Sequence, residues 1–84
     1  MECPRLLLHR IDPARNMARF YMLSLEPTLF GDVGLVRRWG RIGTLGQERI
    51  ELHAEACAAR AAFDRLARLK QRRGYVAPAS SGRS

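Results

Sequence analysis

The 84-residue sequence has little lysine, little cysteine and no long apolar run. Its single lysine, Lys70, stands beside fourteen arginines. The two cysteines are too few for a disulfide scaffold, and they form no Cys-x-x-Cys pair of the kind that holds structural zinc. The N-terminal apolar run is three leucines, too short for a signal peptide or a membrane span. We therefore expect a cytoplasmic protein with no membrane partner.

The chemistry of an enzyme or a metal site is also missing. Serines lie mainly in the tail, and no base–nucleophile pair stands out. Four residues could in principle bind zinc, namely Cys3, His9, His53 and Cys57. Their spacing fits no closed site, and Cys57 among alanines is expected to be a small buried hydrophobe. The G-x-x-G-x-x-G run of Gly40, Gly43 and Gly46 is not a nucleotide fingerprint and predicts hairpin glycines. We expect no catalysis, cofactor or metal.

Positive charge is what the sequence has in excess. Fifteen basic residues against eight acidic ones give a net charge of +7. Such a charge on a small domain favours polyanionic partners, and arginine supplies a planar fork suited to phosphate and to stacking. A codon bias towards arginine would give the same composition, so charge alone indicates nucleic acid without proving it.

Four segments have the length and apolar pattern of β-strands. They are Arg5–Ile11, Ala18–Glu26, Gly34–Gly43 and Gln47–His53. The turn residues of DPARN separate the first two, which are expected to form a hairpin. In the fourth, Ile50 and Leu52 occupy one face and the charged residues the other. The pattern predicts an antiparallel sheet of about four strands.

The period changes at Ala54, and an alanine-rich helix is predicted to Arg73. Its apolar stripe consists of Ala59, Ala62, Phe63, Leu66 and Leu69. Gly74 is expected to end the helix as its C′ residue. The element order gives an α+β fold, with one C-terminal helix covering the sheet. We expect one monomeric domain over residues 1–76, followed by a disordered tail over 77–84.

The only tryptophan, Trp39, lies in the arginine-rich stretch RRWGR. A lone tryptophan usually fills the core, but strand alternation places Arg37, Trp39 and Arg41 on one face. Burying two arginines with the ring would cost several kcal/mol unless they were paired, roughly the penalty for unpaired polar groups. We therefore expect Trp39 to be partly exposed, and we expect Val36, Gly40 and Ile42 to face the helix.

The run WGRIGTLGQ, Trp39 to Gln47, closely resembles the signature of the WGR domain, and the order of elements around it agrees. The resemblance covers roughly Arg5 to Val76 and includes small bacterial proteins and a module of poly(ADP-ribose) polymerases. It implies a domain that binds DNA near strand breaks and contacts neighbouring domains. The motif tryptophan would stack at a DNA terminus, and the motif arginine would contact DNA or a partner domain; here these are Trp39 and Arg41. The chain has no room for the transferase domain of the polymerases.

The sequence thus predicts a non-enzymatic module that recognises DNA ends or nicks. Its candidate nucleic-acid-binding residues are Arg37, Arg38, Trp39, Gly40, Arg41, Gln47, Arg72 and Arg73. Stacking by the indole and bidentate phosphate contacts by guanidinium groups are the expected chemistry. Two alternatives remain open: a protein-interaction module that docks through the same Trp-Gly-Arg surface, and binding of RNA or a single strand.

Overall fold

A computed structural model describes residues 4–78. Its elements are β1 (Arg5–Asp12), a short 3-10 turn (Pro13–Arg15), β2 (Met17–Pro27), β3 (Val33–Arg41), β4 (Gln47–His53) and α1 (Ala56–Arg72). The strands form one antiparallel sheet in chain order. The predicted α+β architecture is confirmed, with every boundary within two residues of its prediction. Most of the predicted tail, residues 79–84, lies outside the described residues.

The core lies between one face of the sheet and α1. Three leucines from successive strands, Leu8, Leu23 and Leu35, are fully buried there. The helix covers them with Phe63 and with small side chains, which allow it to lie close to the sheet; its buried residues are Ala59, Ala62, Phe63 and Ala67. The predicted stripe was wrong at its C-terminal end, because Leu69 is 39% exposed and Ala67 is buried instead.

The prediction that Val36, Gly40 and Ile42 face the helix was wrong. Leu35 lies in the core under α1, and strand alternation puts Val36 on the opposite face of the sheet. Val36 is buried there between its cross-strand neighbours Ser24 and Ile50, outside the core cluster. Within β3, Val33 and Leu35 share the face of Trp39 and pack on the core, so the apolar residues of this strand favour that face once Val33 and Leu35 are counted with Trp39.

The helix ends in a Schellman motif at Gly74, as predicted. The amide of Gly74 donates to the Gln71 carbonyl at 3.1 Å, and the amide of Tyr75 donates to the Lys70 carbonyl at 3.1 Å. This turn reverses the chain towards the sheet, where Tyr75 is buried. Val76 then exchanges both backbone hydrogen bonds with His9 of β1. The end of the helix is therefore fixed to the sheet.

Candidate nucleic-acid interface

Trp39 lies near the end of β3, directly opposite Tyr21 of β2. It faces the helix side of the sheet, where it packs against the edge of the core and remains half-buried. Trp39 therefore contributes to the core, as a lone tryptophan usually does. The ring is also partly exposed, as the sequence predicts. The guanidinium carbon of Arg37 lies 5.9 Å from the ring centre, within the range of a cation–π interaction.

Arg37 lies on the core-facing side of β3, but its side chain is not fully buried. Its guanidinium group extends to Glu51 of β4, with Nη2 and Oε2 3.9 Å apart. A long side chain can bury its stem and keep its charged end near water in this way. This geometry reduces the cost that argued against Trp39 and Arg37 facing the helix.

Trp39 forms one wall of an open cleft of about 460 Å³, which we call the Trp39 cleft. Three motif-derived residues, Gly40, Arg41 and Gln47, line it with Trp39. The sheet and the helix end add the rest of the lining, which is Arg19, Phe20, Lys70 and Tyr75. Three of the lining residues are cationic and none is acidic. The cleft therefore combines aromatic surface with positive charge.

The β3–β4 turn fixes the position of Trp39. The Thr44 amide and hydroxyl both donate to the Arg41 carbonyl, at 3.0 and 2.7 Å. Gly46 then passes directly over the Trp39 carbonyl and the Phe20 ring, so closely that a β-carbon there would overlap both. This close approach gives the glycine pattern of the motif a structural reason, as predicted for hairpin glycines.

Lys70 projects from α1 onto the aromatic residues of the site. Its ammonium group lies 4.6 Å from the ring centre of Tyr21 and 5.4 Å from that of Tyr75. The two tyrosine rings meet edge to face with centres 6.2 Å apart. Burial lowers the pKa of Lys70. The nearby positive charges of Arg73, Arg37 and Arg19 lower it further. Among residues 4–78, these cations lie close together, and of them Arg37 alone forms an ion pair, with Glu51.

A smaller cleft of about 180 Å³, the inner cleft, adjoins the other side of Trp39. Its lining consists of Tyr21, Arg37, Trp39, Leu66, Leu69 and Lys70. The Tyr21 hydroxyl and Arg37 Nε are both buried without a hydrogen-bond partner among residues 4–78. Burial raises the pKa of Tyr21, so the hydroxyl stays protonated and able to donate at neutral pH. The neighbouring Arg37 guanidinium lowers this pKa in part, so the two polar groups lie together beside the indole and are enclosed by protein atoms.

The structure gathers five of the eight predicted residues at these two clefts, and the other three line neither of them. Arg38 lies on the opposite face of the sheet, where its Nη2 pairs with Glu48 Oε2 at 2.9 Å. Arg72 lines a different groove on α1. Arg73 is close enough to Lys70 to depress its pKa. Trp39, Gly40, Arg41 and Gln47 share one cleft, and Arg37 adjoins it.

Sequence reasoning missed Arg19, Phe20, Lys70 and Tyr75. Arg19 and Phe20 lie opposite Arg41 and Gly40 in the β2–β3 register, so an explicit pairing of the two predicted strands would have found them. Tyr75 follows the predicted helix-ending glycine, where an apolar contact back to the fold is common. No sequence signal distinguishes Lys70 from the arginines around it except its being the only lysine.

The structure adds no support for a metal site, a buried Cys57 or a membrane-spanning helix among residues 4–78. Within residues 4–78, no three His, Cys, Asp or Glu side chains come close enough together to hold a metal ion. Cys57 is exposed, so its expected burial was wrong: it lies in the first turn of α1, before the first buried helix residue, Ala59. In the same described part of the chain, no helix is long and apolar enough to cross a membrane.

Fold and site together define a small α+β module, in which a Trp-Gly-Arg sequence ends the third strand of a sheet covered by one helix. The chain belongs to the WGR domain family, whose model matches residues 5–82. In poly(ADP-ribose) polymerases the WGR domain is a nucleic-acid-binding module, and the domain itself is non-catalytic.

The chain is similar to the uncharacterized protein y4dW of Sinorhizobium fredii (strain NBRC 101917 / NGR234). The two are 51% identical over 71 residues, which is 84% of this chain and 35% of the relative. The chain therefore spans about a third of the length of that protein. No solved structure matches the chain.

Proposed function

We propose that this chain binds DNA at ends or nicks through the Trp39 cleft, and that its role is binding alone. The observation that carries the proposal is the position of Trp39 between two clefts whose lining contains cations and no acidic residue. An indole offers a face for stacking on a base or sugar, and the surrounding guanidinium groups suit phosphate oxygens. Membership of the WGR family supports the same chemistry.

The anchoring of Trp39 favours a terminus over continuous duplex. A side chain that wedges between stacked base pairs must protrude, whereas this ring is half-buried against the core. A half-buried ring reaches a flat base or sugar face only where the stack is interrupted.

The test compares closed circular, nicked and linear forms of one DNA at several salt concentrations. Trp39→Ala should cost roughly 1–3 kcal/mol on nicked or linear DNA, the usual contribution of one aromatic stack. It should change binding to the closed circle little and leave the salt dependence nearly intact, since stacking releases no counterions. In the wild type, fluorescence of the single tryptophan should change when an end is bound.

Arg41→Gln and Arg38→Gln form a matched pair that removes the same charge from the two faces of the sheet. Arg41→Gln should weaken binding and reduce the slope of log K against log salt by about 0.9, the effect of one phosphate contact on duplex DNA. Arg38→Gln should do neither, since that side chain pairs with Glu48 on the far face.

Equal loss on all three DNA forms for Trp39→Ala would refute end recognition and leave a merely basic surface. A folded protein that binds no DNA form would favour the protein-interaction alternative, and tighter binding to RNA would favour the RNA alternative.

A further inference from the structure

The outer side of the C-terminal half of α1 carries a groove that the Trp-Gly-Arg motif does not account for. We call it the arginine groove; its volume is about 330 Å³, and it is lined by Arg65, Leu66, Arg68, Leu69 and Arg72. Among residues 4–78, none of these three arginines forms an ion pair with a carboxylate, whereas Arg60 on the preceding turn pairs with Asp64 at 3.4 Å. The groove therefore holds three cations that the described structure leaves uncompensated.

The arginine groove adjoins the inner cleft, which adjoins the Trp39 cleft. It shares Leu66 and Leu69 with the inner cleft. The inner cleft in turn shares Trp39 and Lys70 with the Trp39 cleft. No lining residue of the three is acidic, and the cations along the path are Arg19, Arg37, Arg41, Arg65, Arg68, Lys70 and Arg72.

We propose that this path holds a single-stranded overhang leading away from the DNA end bound at Trp39. The inference rests on the proposed end recognition and adds the structure of the preferred end. A charged track interrupted by apolar platforms is the arrangement that binds a single strand, because phosphates take the guanidinium groups and bases or sugars lie on apolar surface. Leu66 and Leu69 supply that surface between the arginines.

The dimensions fit one strand. Arg65 and Arg72 are seven residues apart on the helix, which separates them by about 10 Å along its axis, the length of roughly three stacked nucleotides. The Trp39 cleft of about 460 Å³ and the arginine groove of about 330 Å³ have the size of small-ligand sites, and the inner cleft between them, of about 180 Å³, is smaller. These volumes suit single nucleotides and are too small to enclose a duplex.

The experiment uses hairpin DNA with one free end, either blunt or extended by a 3′ or 5′ overhang in steps of about three nucleotides. The test variant carries Arg65→Gln, Arg68→Gln and Arg72→Gln. The control carries Arg5→Gln, Arg15→Gln and Arg60→Gln, which remove the same charge from residues that line none of the three clefts. Circular dichroism establishes that both variants retain the helix.

The wild type and the control should bind an overhang of one polarity about fivefold or more tightly than a blunt end, since about 1 kcal/mol is the lower limit for one additional stacked base. The test variant should lose that preference while binding blunt ends as the control does. Its salt slope on overhang DNA should fall by about 0.7 for each lost contact on a single strand.

Equal binding of blunt and overhang DNA by the wild type would overturn this inference, as would a preference that survives in the test variant or disappears equally in the control. Each of these results leaves end recognition standing as long as Trp39→Ala discriminates ended from closed DNA. If Trp39→Ala weakens all DNA forms equally, the proposed function itself fails.

Discussion

Gly46 is the residue whose substitution most directly tests how the hairpin fixes Trp39. Its φ of +71° lies in the left-handed region, which side-chain-bearing residues rarely adopt. A β-carbon there would overlap the Trp39 carbonyl oxygen and lie 2.9 Å from Phe20 Cζ. Gly46→Ala therefore forces either the turn or β3 to move. Gly43 provides the control, since its φ is +96° but a β-carbon there would meet nothing within 4 Å.

The two substitutions should differ by the steric term alone. Gly43→Ala should lower the free energy of unfolding by about 1–2 kcal/mol, the cost of a left-handed conformation for an L-residue. Gly46→Ala carries the same cost plus overpacking against backbone and ring, which adds roughly 1–3 kcal/mol. The total of about 2–5 kcal/mol is a large fraction of the stability of a small domain, which is typically about 5–15 kcal/mol.

Urea denaturation followed by circular dichroism measures both free energies of unfolding. The single tryptophan adds a local measurement, because its emission reports the surroundings of the indole. Native Gly46→Ala should differ from the wild type in Trp39 emission and should bind ended DNA more weakly, whereas Gly43→Ala should resemble the wild type in both. Equal destabilisation by the two substitutions, or unchanged emission in Gly46→Ala, would show that Gly46 does not position the tryptophan.

Two further predictions concern the core and Lys70. Phe63→Ala should lower the free energy of unfolding by about 3–5 kcal/mol, because it opens a cavity under the helix. Phe30→Ala is the control: this loop residue is 90% exposed, and its loss should change the free energy of unfolding by less than about 0.5 kcal/mol. Thermal unfolding of the two variants compares these values. Because the folded state lowers the pKa of Lys70, the unfolded chain binds more protons between that pKa and 10.5, and the free energy of unfolding should rise with pH in this window. Urea titrations kept at least about one pH unit below 10.0, so that Tyr21 stays protonated in both the folded and the unfolded chain, should show this rise in the wild type and not in Lys70→Met. A rise that persists in Lys70→Met would assign the effect to another group.

The elements and their ends follow from local sequence. Period-2 and helical apolar patterns locate the four strands and α1, and the chain order of the strands follows from the short turns between them. Gly74 ends the helix because glycine alone enters the left-handed conformation of the cap without strain. The Trp-Gly-Arg run also fixes which residues share a face with Trp39, since side-chain direction along one strand depends on that strand alone.

Tertiary structure decided how the strands assemble the core and what surrounds the indole. Leu8, Leu23 and Leu35 come from three strands, and the register between these strands brings them together under α1. Lys70 and Tyr75 reach the Trp39 cleft only because α1 crosses the sheet and its last turn directs the chain back to β1. Such contacts join residues distant in sequence, and their geometry depends on the packing of the helix on the sheet as a whole. The residues of the motif are therefore legible in the sequence, while the cleft that gives them a binding surface exists only in the fold.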